Sequence, residues 1–177
     1  MQRPKDIQTE RLILSVLLPA EIEALLAGDV QHVECVTTFR YPPDDPNRGV
    51  DLNWHLQALR ADYNELPWRI RVIVERSSNT VIGSINLKGP PDERGDVEIG
   101  WGMNDGARGK GYATEAAAAV LQWAFEQPSV GSMSATIPDD HTASQRIAQR
   151  LGLSRTNATR RNLPLWKCER AASAEVN

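Results

Sequence analysis

The sequence predicts one α/β domain over residues 1–177: a mixed, mostly antiparallel central sheet of six to seven strands with flanking helices. Three observations lead there. Short Ile- and Val-rich or alternating runs recur along the chain, bounded by Gly, Pro, Asn or Ser. Amphipathic stretches of helical period lie between some of these runs and not others, which suits a mixed sheet. One unit, Asp96 to Ile137, reads strand, glycine loop, helix, strand, so its two strands should run parallel around a right-handed crossover. No internal repeat and no dividing linker interrupts the pattern.

Ile7 to Leu18 is the first strand candidate. Pro19 to Ala27 is a short helix, with proline at its start, Ile22, Leu25 and Leu26 on one face and Gly28 closing it. Gln31 to Phe39 leaves room for another short helix. Tyr41-Pro-Pro-Asp-Asp-Pro46 is a rigid turn segment. Val50 to Glu65 is amphipathic, with Leu52, Leu56, Leu59 and Tyr63 in register. Arg69 to Glu75 and Thr80 to Leu87 are strands joined by the hairpin signal Arg76-Ser-Ser-Asn79. Gly89 to Gly95 is a second turn. From Asp96 to Met103 the period is two: Val97, Ile99, Trp101 and Met103 share one face, and Asp96, Glu98, Gly100 and Gly102 the other. From Tyr112 the pattern is helical, through Ala113, Ala116, Ala117, Val120, Leu121 and Ala124, and Gln127-Pro128 stops it. Val130 to Ile137 is a further strand. Thr142-Ala-Ser-Gln145 has capping-box spacing for a helix that ends at Gly152. Leu153 to Thr159 and Leu165 to Arg170 are the last strands, separated by Arg160 to Pro164, and residues 171–177 form a polar tail expected to fray.

Hydrophobic residues make up 41% and charged residues 24% of the 177, the composition of a globule with a substantial core. A net charge of −3 leaves no basic field for nucleic acid. No apolar run reaches membrane length, and the N-terminus lacks a signal-peptide core. Cys35 and Cys168 lie far apart and read as reduced thiols of a cytoplasmic protein. His32, His55 and His141 are scattered, so no metal site is expected.

Asn104 to Gly111 holds three glycines, Gly106, Gly109 and Gly111, together with Arg108 and Lys110. A strand, such a loop and a helix beginning near Gly111 make an anion site. The first N–H groups of a helix lack internal partners, and its dipole adds about half a positive charge there. A phosphate or pyrophosphate is the natural ligand; the plainer alternative is a glycine-rich loop that binds nothing. The P-loop pattern fails, because Asn104 stands where its first glycine belongs and no Ser or Thr follows Lys110. The dinucleotide fingerprint fails at Thr114.

Arg108-Gly-Lys-Gly111-Tyr-Ala113 resembles the Arg/Gln-x-x-Gly-x-Gly/Ala signature of the GCN5-related N-acetyltransferases (GNAT). Glu98-Ile-Gly-Trp-Gly-Met before it and Ala113-Thr-Glu-Ala behind it extend the match. Thr9-Glu-Arg-Leu-x-Leu resembles the opening of the ribosomal-protein, RimJ/RimL-like branch, with Ser15 where that branch often has arginine. The resemblance spans roughly the whole chain, strongest over 83–153 and weakest over 31–65. It implies a single-domain acyl-CoA N-acyltransferase fold and acetyl-CoA as cosubstrate, without a metal. It further implies a small-molecule amine or a protein N-terminus as acceptor and, as a family habit, a homodimer.

The cofactor-binding set implied is Trp101, Gly102, Met103, Arg108, Gly109, Lys110, Gly111, Tyr112, Ala113, Thr114 and His141. In the family this strand splays from the next, and its backbone around Trp101, Gly102 and Met103 pairs with the pantetheine arm. The family's Asn-x-x-Ser is His141-Thr-Ala-Ser144 here, so histidine replaces a pantetheine-contacting asparagine. Ala148 stands where many relatives carry a proton-donating tyrosine, which leaves Ser144, water or no residue for that role. Arg146 and Arg150 face either the cofactor phosphates or solvent. The early helices form one wall of the family's acceptor cleft. That brings Trp54, His55, Tyr63 and Trp68 into view as substrate contacts or as plain packing.

Glu98 and Ser144 are the catalytic candidates. Glu98 shares its face with Gly100 and Gly102 and is expected to look into an open groove. There it would take a proton from the acceptor ammonium, directly or through water. The alternative is a structural carboxylate held by a neighbouring strand or an arginine. Direct transfer needs no covalent enzyme intermediate, so the missing Ser-His-Asp or Cys-His arrangement is no objection. Two other readings remain: a non-catalytic acyl-CoA-binding sensor on the same fold, and generic nucleotide binding at the glycine loop.

Overall fold

A computed structural model describes residues 3–43 and 50–171. Eight strands form one sheet in the order β1-β2-β3-β4-β5-β6-β8-β7. The eighth strand arises because the first candidate is two. Thr9 Oγ1 accepts from Leu12 N at 2.9 Å, and Thr9 N donates to Leu12 O at 3.0 Å. This side-chain bond turns the chain, so β1 (Ile7–Gln8) folds back antiparallel on β2 (Leu12–Val16).

Helices α1 (Pro19–Leu26) and α2 (Val30–Thr37) follow. The expected turn segment at 41–46 lies partly outside the described residues. The amphipathic stretch from Val50 is not one helix. It forms α3 (Leu52–Ala61) and a 3-10 segment, Tyr63–Trp68. Asp62 divides them in extended conformation, its carboxylate accepting from Asn64 N at 2.9 Å. Strands β3 (Ile70–Glu75), β4 (Thr80–Leu87) and β5 (Asp96–Met103) are antiparallel neighbours. Helix α4 (Tyr112–Phe125) carries the chain to β6 (Ser132–Thr136), which pairs parallel with β5.

Helix α5 (Thr142–Arg150) begins where expected but without the expected capping box. His141 is its N-cap and makes no side-chain cap bond, and Gln145 Nε2 donates to Pro138 O and Asp139 O instead of closing a capping box. Strands β7 (Ser154–Arg160) and β8 (Leu163–Glu169) form a hairpin tighter than the five-residue break expected. Arg161 and Asn162 take φ of 51° and 61°, a two-residue turn with both residues left-handed.

The strand alternation sorts two cores onto the two faces. Beneath α4 and α5, Leu12, Leu14, Ile73, Ile85, Leu87, Val97 and Ile99 meet Ala116, Ala117, Val120 and Ala148. On the other face Ile70, Val72, Val74 and Val81 meet Ile22, Val33, Leu56 and Leu59 of α1–α3. That second core stops at β4 and β5. There the same face carries Ser84, Asn86, Asp96, Glu98, Gly100 and Gly102, and a cleft opens. None of the described helices is long and apolar enough to cross a membrane.

Candidate functional site

β5 and β6 pair only from Asp96↔Ser132 to Glu98↔Ser134 and then part. On its other side β5 stays paired with β4 as far as Gly83↔Met103. Glu98 O accepts from Lys88 N and Asn104 N donates to Ile82 O, so even-numbered residues of β5 bond β4. Ile99, Trp101 and Met103 therefore turn their backbone groups to the open edge, whereas Gly102 is committed to Ser84. The free donors belong to Trp101 and its odd-numbered neighbours. The gap is a small cavity lined by Ile99, Gly100, Trp101, Thr136, His141 and Ser144.

From that gap a groove of about 550 Å³ runs to the head of α4. It gathers Trp101, Gly102, Met103, Arg108, Gly109, Gly111, Tyr112, Ala113, Thr114, His141 and Ser144, with Arg146 and Arg150 on its α5 side. Gly109 and Gly111 have φ of 75° and 81°, which non-glycine residues rarely adopt. Gly111 is the N-cap of α4 and brings no side chain to its first amides, which leaves them open. Among the expected residues Lys110 stands apart: it is exposed and outside this lining. Arg108 is folded back, its guanidinium 2.8 Å from Asp105 Oδ1 and its Nε donating to Met103 O at 3.2 Å. An incoming anion would have to draw it away.

Sequence reasoning missed Arg11. Its Nη1 donates to Lys110 O at 3.0 Å, its Nε to Glu115 Oε2 at 2.7 Å, and its guanidinium lies 4.5 Å from the Tyr112 ring centre. Thr9 Oγ1 donates to Glu115 Oε1 at 2.6 Å. The β1–β2 turn thus braces the loop and the first turn of α4. Tyr112 Oη donates to Glu75, which lowers that carboxyl's pKa and raises the phenol's.

Glu98 faces a second cleft of about 480 Å³, lined among others by Asp51, Trp54, His55, Lys88, Asp92, Arg160 and Arg161. The expected face is right, but the carboxylate is not free. It is 7% exposed; Arg160 Nη1 donates to Oε2 at 3.0 Å, Thr136 Oγ1 to Oε1 at 3.1 Å, and Arg161 Nη2 also bonds Oε1. Burial opposes its charge, yet the bonds from Arg161 and Arg160 outweigh it and hold Glu98 below the usual carboxylate range. Arg160 also bonds Asp96 at 3.1 Å, and Ser132 and Ser134 complete that network.

The four aromatic candidates divide. His55 and Trp54 line the second cleft. Tyr63 packs against the α1–α3 core, and Trp68 packs at a tilt against Trp123 of α4, 4.9 Å between centroids. Ala148 is fully buried, so its helix position faces the core. Among the described residues no three His, Cys, Asp or Glu side chains converge as a metal requires, and Cys35 and Cys168 are both free thiols.

Comparison with known proteins agrees with this architecture. Residues 11–154 match the acetyltransferase (GNAT) domain family. Relatives include two uncharacterized N-acetyltransferases of Bacillus subtilis (strain 168). YjdG is 35% identical over 81 residues, 46% of this chain and 48% of that protein. YnaD is 33% identical over 67 residues, 38% and 39% of the two chains. The matches thus span under half the length of these curated relatives. In fold the chain is similar to an acetyltransferase from Agrobacterium tumefaciens str. C58, with TM-score 0.65, 22% identity and 96% of each chain covered. It is also similar to the ribosomal-protein-S5-alanine acetyltransferase from Vibrio fischeri, with TM-score 0.67, 11% identity, and 95% and 98% covered. A third neighbour is the ribosomal L7/L12 α-N-protein acetyltransferase RimL in complex with coenzyme A, with TM-score 0.63, 11% identity, and 93% and 98% covered.

Proposed function

The chain belongs to the GNAT acetyltransferase family, and from that premise we propose that it transfers the acetyl group of acetyl-CoA directly to a primary amine. One conjunction carries the reading: an unpaired edge of β5 opens into a groove that ends at the bare N-terminus of α4. A strand edge suits the amides of a pantetheine arm, and a helix start suits a diphosphate. The acetyl group then lies at the β5–β6 gap, where the Trp101 N–H polarises its carbonyl.

The amine nitrogen bonds the carbonyl carbon, the C–S bond breaks, and the thiolate takes up a proton. We assign that proton to Ser144, which lines both the gap and the groove and, as a relay, regains one from water in the same step. Glu98 receives the amine's proton through water once Arg161 moves aside. Held as an anion below the usual carboxylate range, it is a weak base. Glu98→Gln should therefore lower kcat by about tenfold, less than the 10²–10⁴ typical of general base catalysis. The acceptor is a protein N-terminus, as the name of one structural neighbour, an α-N-protein acetyltransferase, suggests, or a small amine.

The engaged state of Glu98 favours a second reading, a non-catalytic acyl-CoA sensor. Thiol release with acetyl-CoA and a panel of peptides, amino acids, polyamines and aminoglycosides separates the two. Turnover supports the enzyme, and acetyl-CoA binding without turnover on any amine supports the sensor. Gly111→Asp tests the groove itself, because a carboxylate there meets the diphosphate. We expect CoA affinity to fall more than about tenfold, roughly 1.4 kcal/mol. Unchanged affinity would overturn the assignment.

A further inference from the structure

On the cleft face of β4, Ser84 and Asn86 are polar residues in a strand whose buried side chains are otherwise Val81, Ile85 and Leu87. Ser84 is 1% exposed, Asn86 5%, and His55 of α3 is fully buried. Ser84 Oγ, Asn86 Oδ1 and both ring nitrogens of His55 have no hydrogen-bond partner among the described residues. Leaving such an atom unpaired is costly, and native proteins keep few of them.

Their location gives the reason. Asn86 lies directly across from Gly100, with Oδ1 3.2 Å from the point a Cβ there would occupy. Its amide therefore fills the space the glycine leaves, beside the gap where β5 parts from β6. His55 lines the same cleft as Glu98 and Lys88, with Trp54 closing over it edge-on at 4.9 Å between ring centroids. Trp54 itself is 41% exposed. Burial, reinforced by Lys88 and Arg69 beside the imidazole, disfavours its protonated form, so a ring nitrogen stays available to accept.

We propose that Asn86 and His55 bind the acceptor amine: Asn86 Oδ1 and one ring nitrogen of His55 accept its N–H groups and hold the nitrogen beside the β5–β6 gap. The inference rests on the acetyl-transfer reading and adds the residues that recognise the acceptor, a task Glu98 does not fill while Arg160 and Arg161 engage both its oxygens. Asn86→Leu and His55→Leu test it. Apolar replacement of an unpartnered polar group removes a cost, so both variants should keep or raise Tm. A purely structural role predicts a lower Tm instead.

With glycinamide and ethylamine as acceptors, KM for the amine should rise at least about tenfold, while the Kd for acetyl-CoA measured by calorimetry stays within about twofold. His55→Phe and Asn86→Ala repeat the measurement should a leucine variant not fold. Acceptor KM within about twofold of wild type in both positions would overturn the inference and leave acetyl transfer standing. Wild-type protein that releases no thiol with any amine would overturn acetyl transfer, and this inference with it.

Discussion

His55 makes the stability of the protein depend on pH. Burial pushes its pKa down to about 3, with Lys88 and Arg69 adding repulsion against Asp51's opposing pull. An unfolded histidine takes up its proton near pH 6.5. Between those values the unfolded chain binds more protons than the native one. Above pH 6.5 the ring is neutral in both states and titration adds nothing; below it, acidification destabilises the fold by up to about 1.4 kcal/mol per pH unit. Glu98 acts in the same direction lower down, because a depressed carboxyl stabilises only while it remains ionised. Chemical denaturation from pH 4.5 to 7 should show the slope in wild type and a flatter curve in His55→Leu. Neither residue's surroundings were legible in the sequence. The period of two put Glu98 on the cleft face, but Arg160 lies 62 residues further on, and no local spacing announces that bond.

At the scale of elements, what is local was readable. The β5 alternation, the glycine loop and the start of α4 are adjacent in sequence, and each follows from short-range geometry. What crosses the sheet was not. Thr9 splits the first strand through its own hydroxyl, and Arg11 reaches the loop from the turn this makes. The signal that went unread in β4 was Ser84-x-Asn86, polar residues at period two in an apolar strand. Gly83 is a further element-scale constraint, since a Cβ there would come 2.3 Å from Gly102 O. The brace on α4 carries a prediction of its own. Arg11→Ala frees the Lys110 carbonyl and removes the ion pair of Glu115 close to the proposed diphosphate site. Titration with CoA should show a Kd raised by about tenfold, while the kcat of saturated enzyme changes little.

For the whole molecule, one sheet separates two tasks. The face under α4 and α5 carries a continuous apolar core. The opposite face gives up part of its core at β4 and β5 to polar side chains and glycine. The mixed architecture was legible because those alternations are strong; the clefts were not, because they form where separate elements fail to pack. The β1–β2 turn grips α4 across 104 residues, from Arg11 to Glu115. Such a closure is among the slower steps of folding, since a long loop must be ordered before any contact rewards it. After dilution from denaturant, CoA binding should therefore emerge with the slowest refolding phase and lag the recovery of helical circular dichroism. Stopped-flow measurement with a fluorescent CoA analogue would record it.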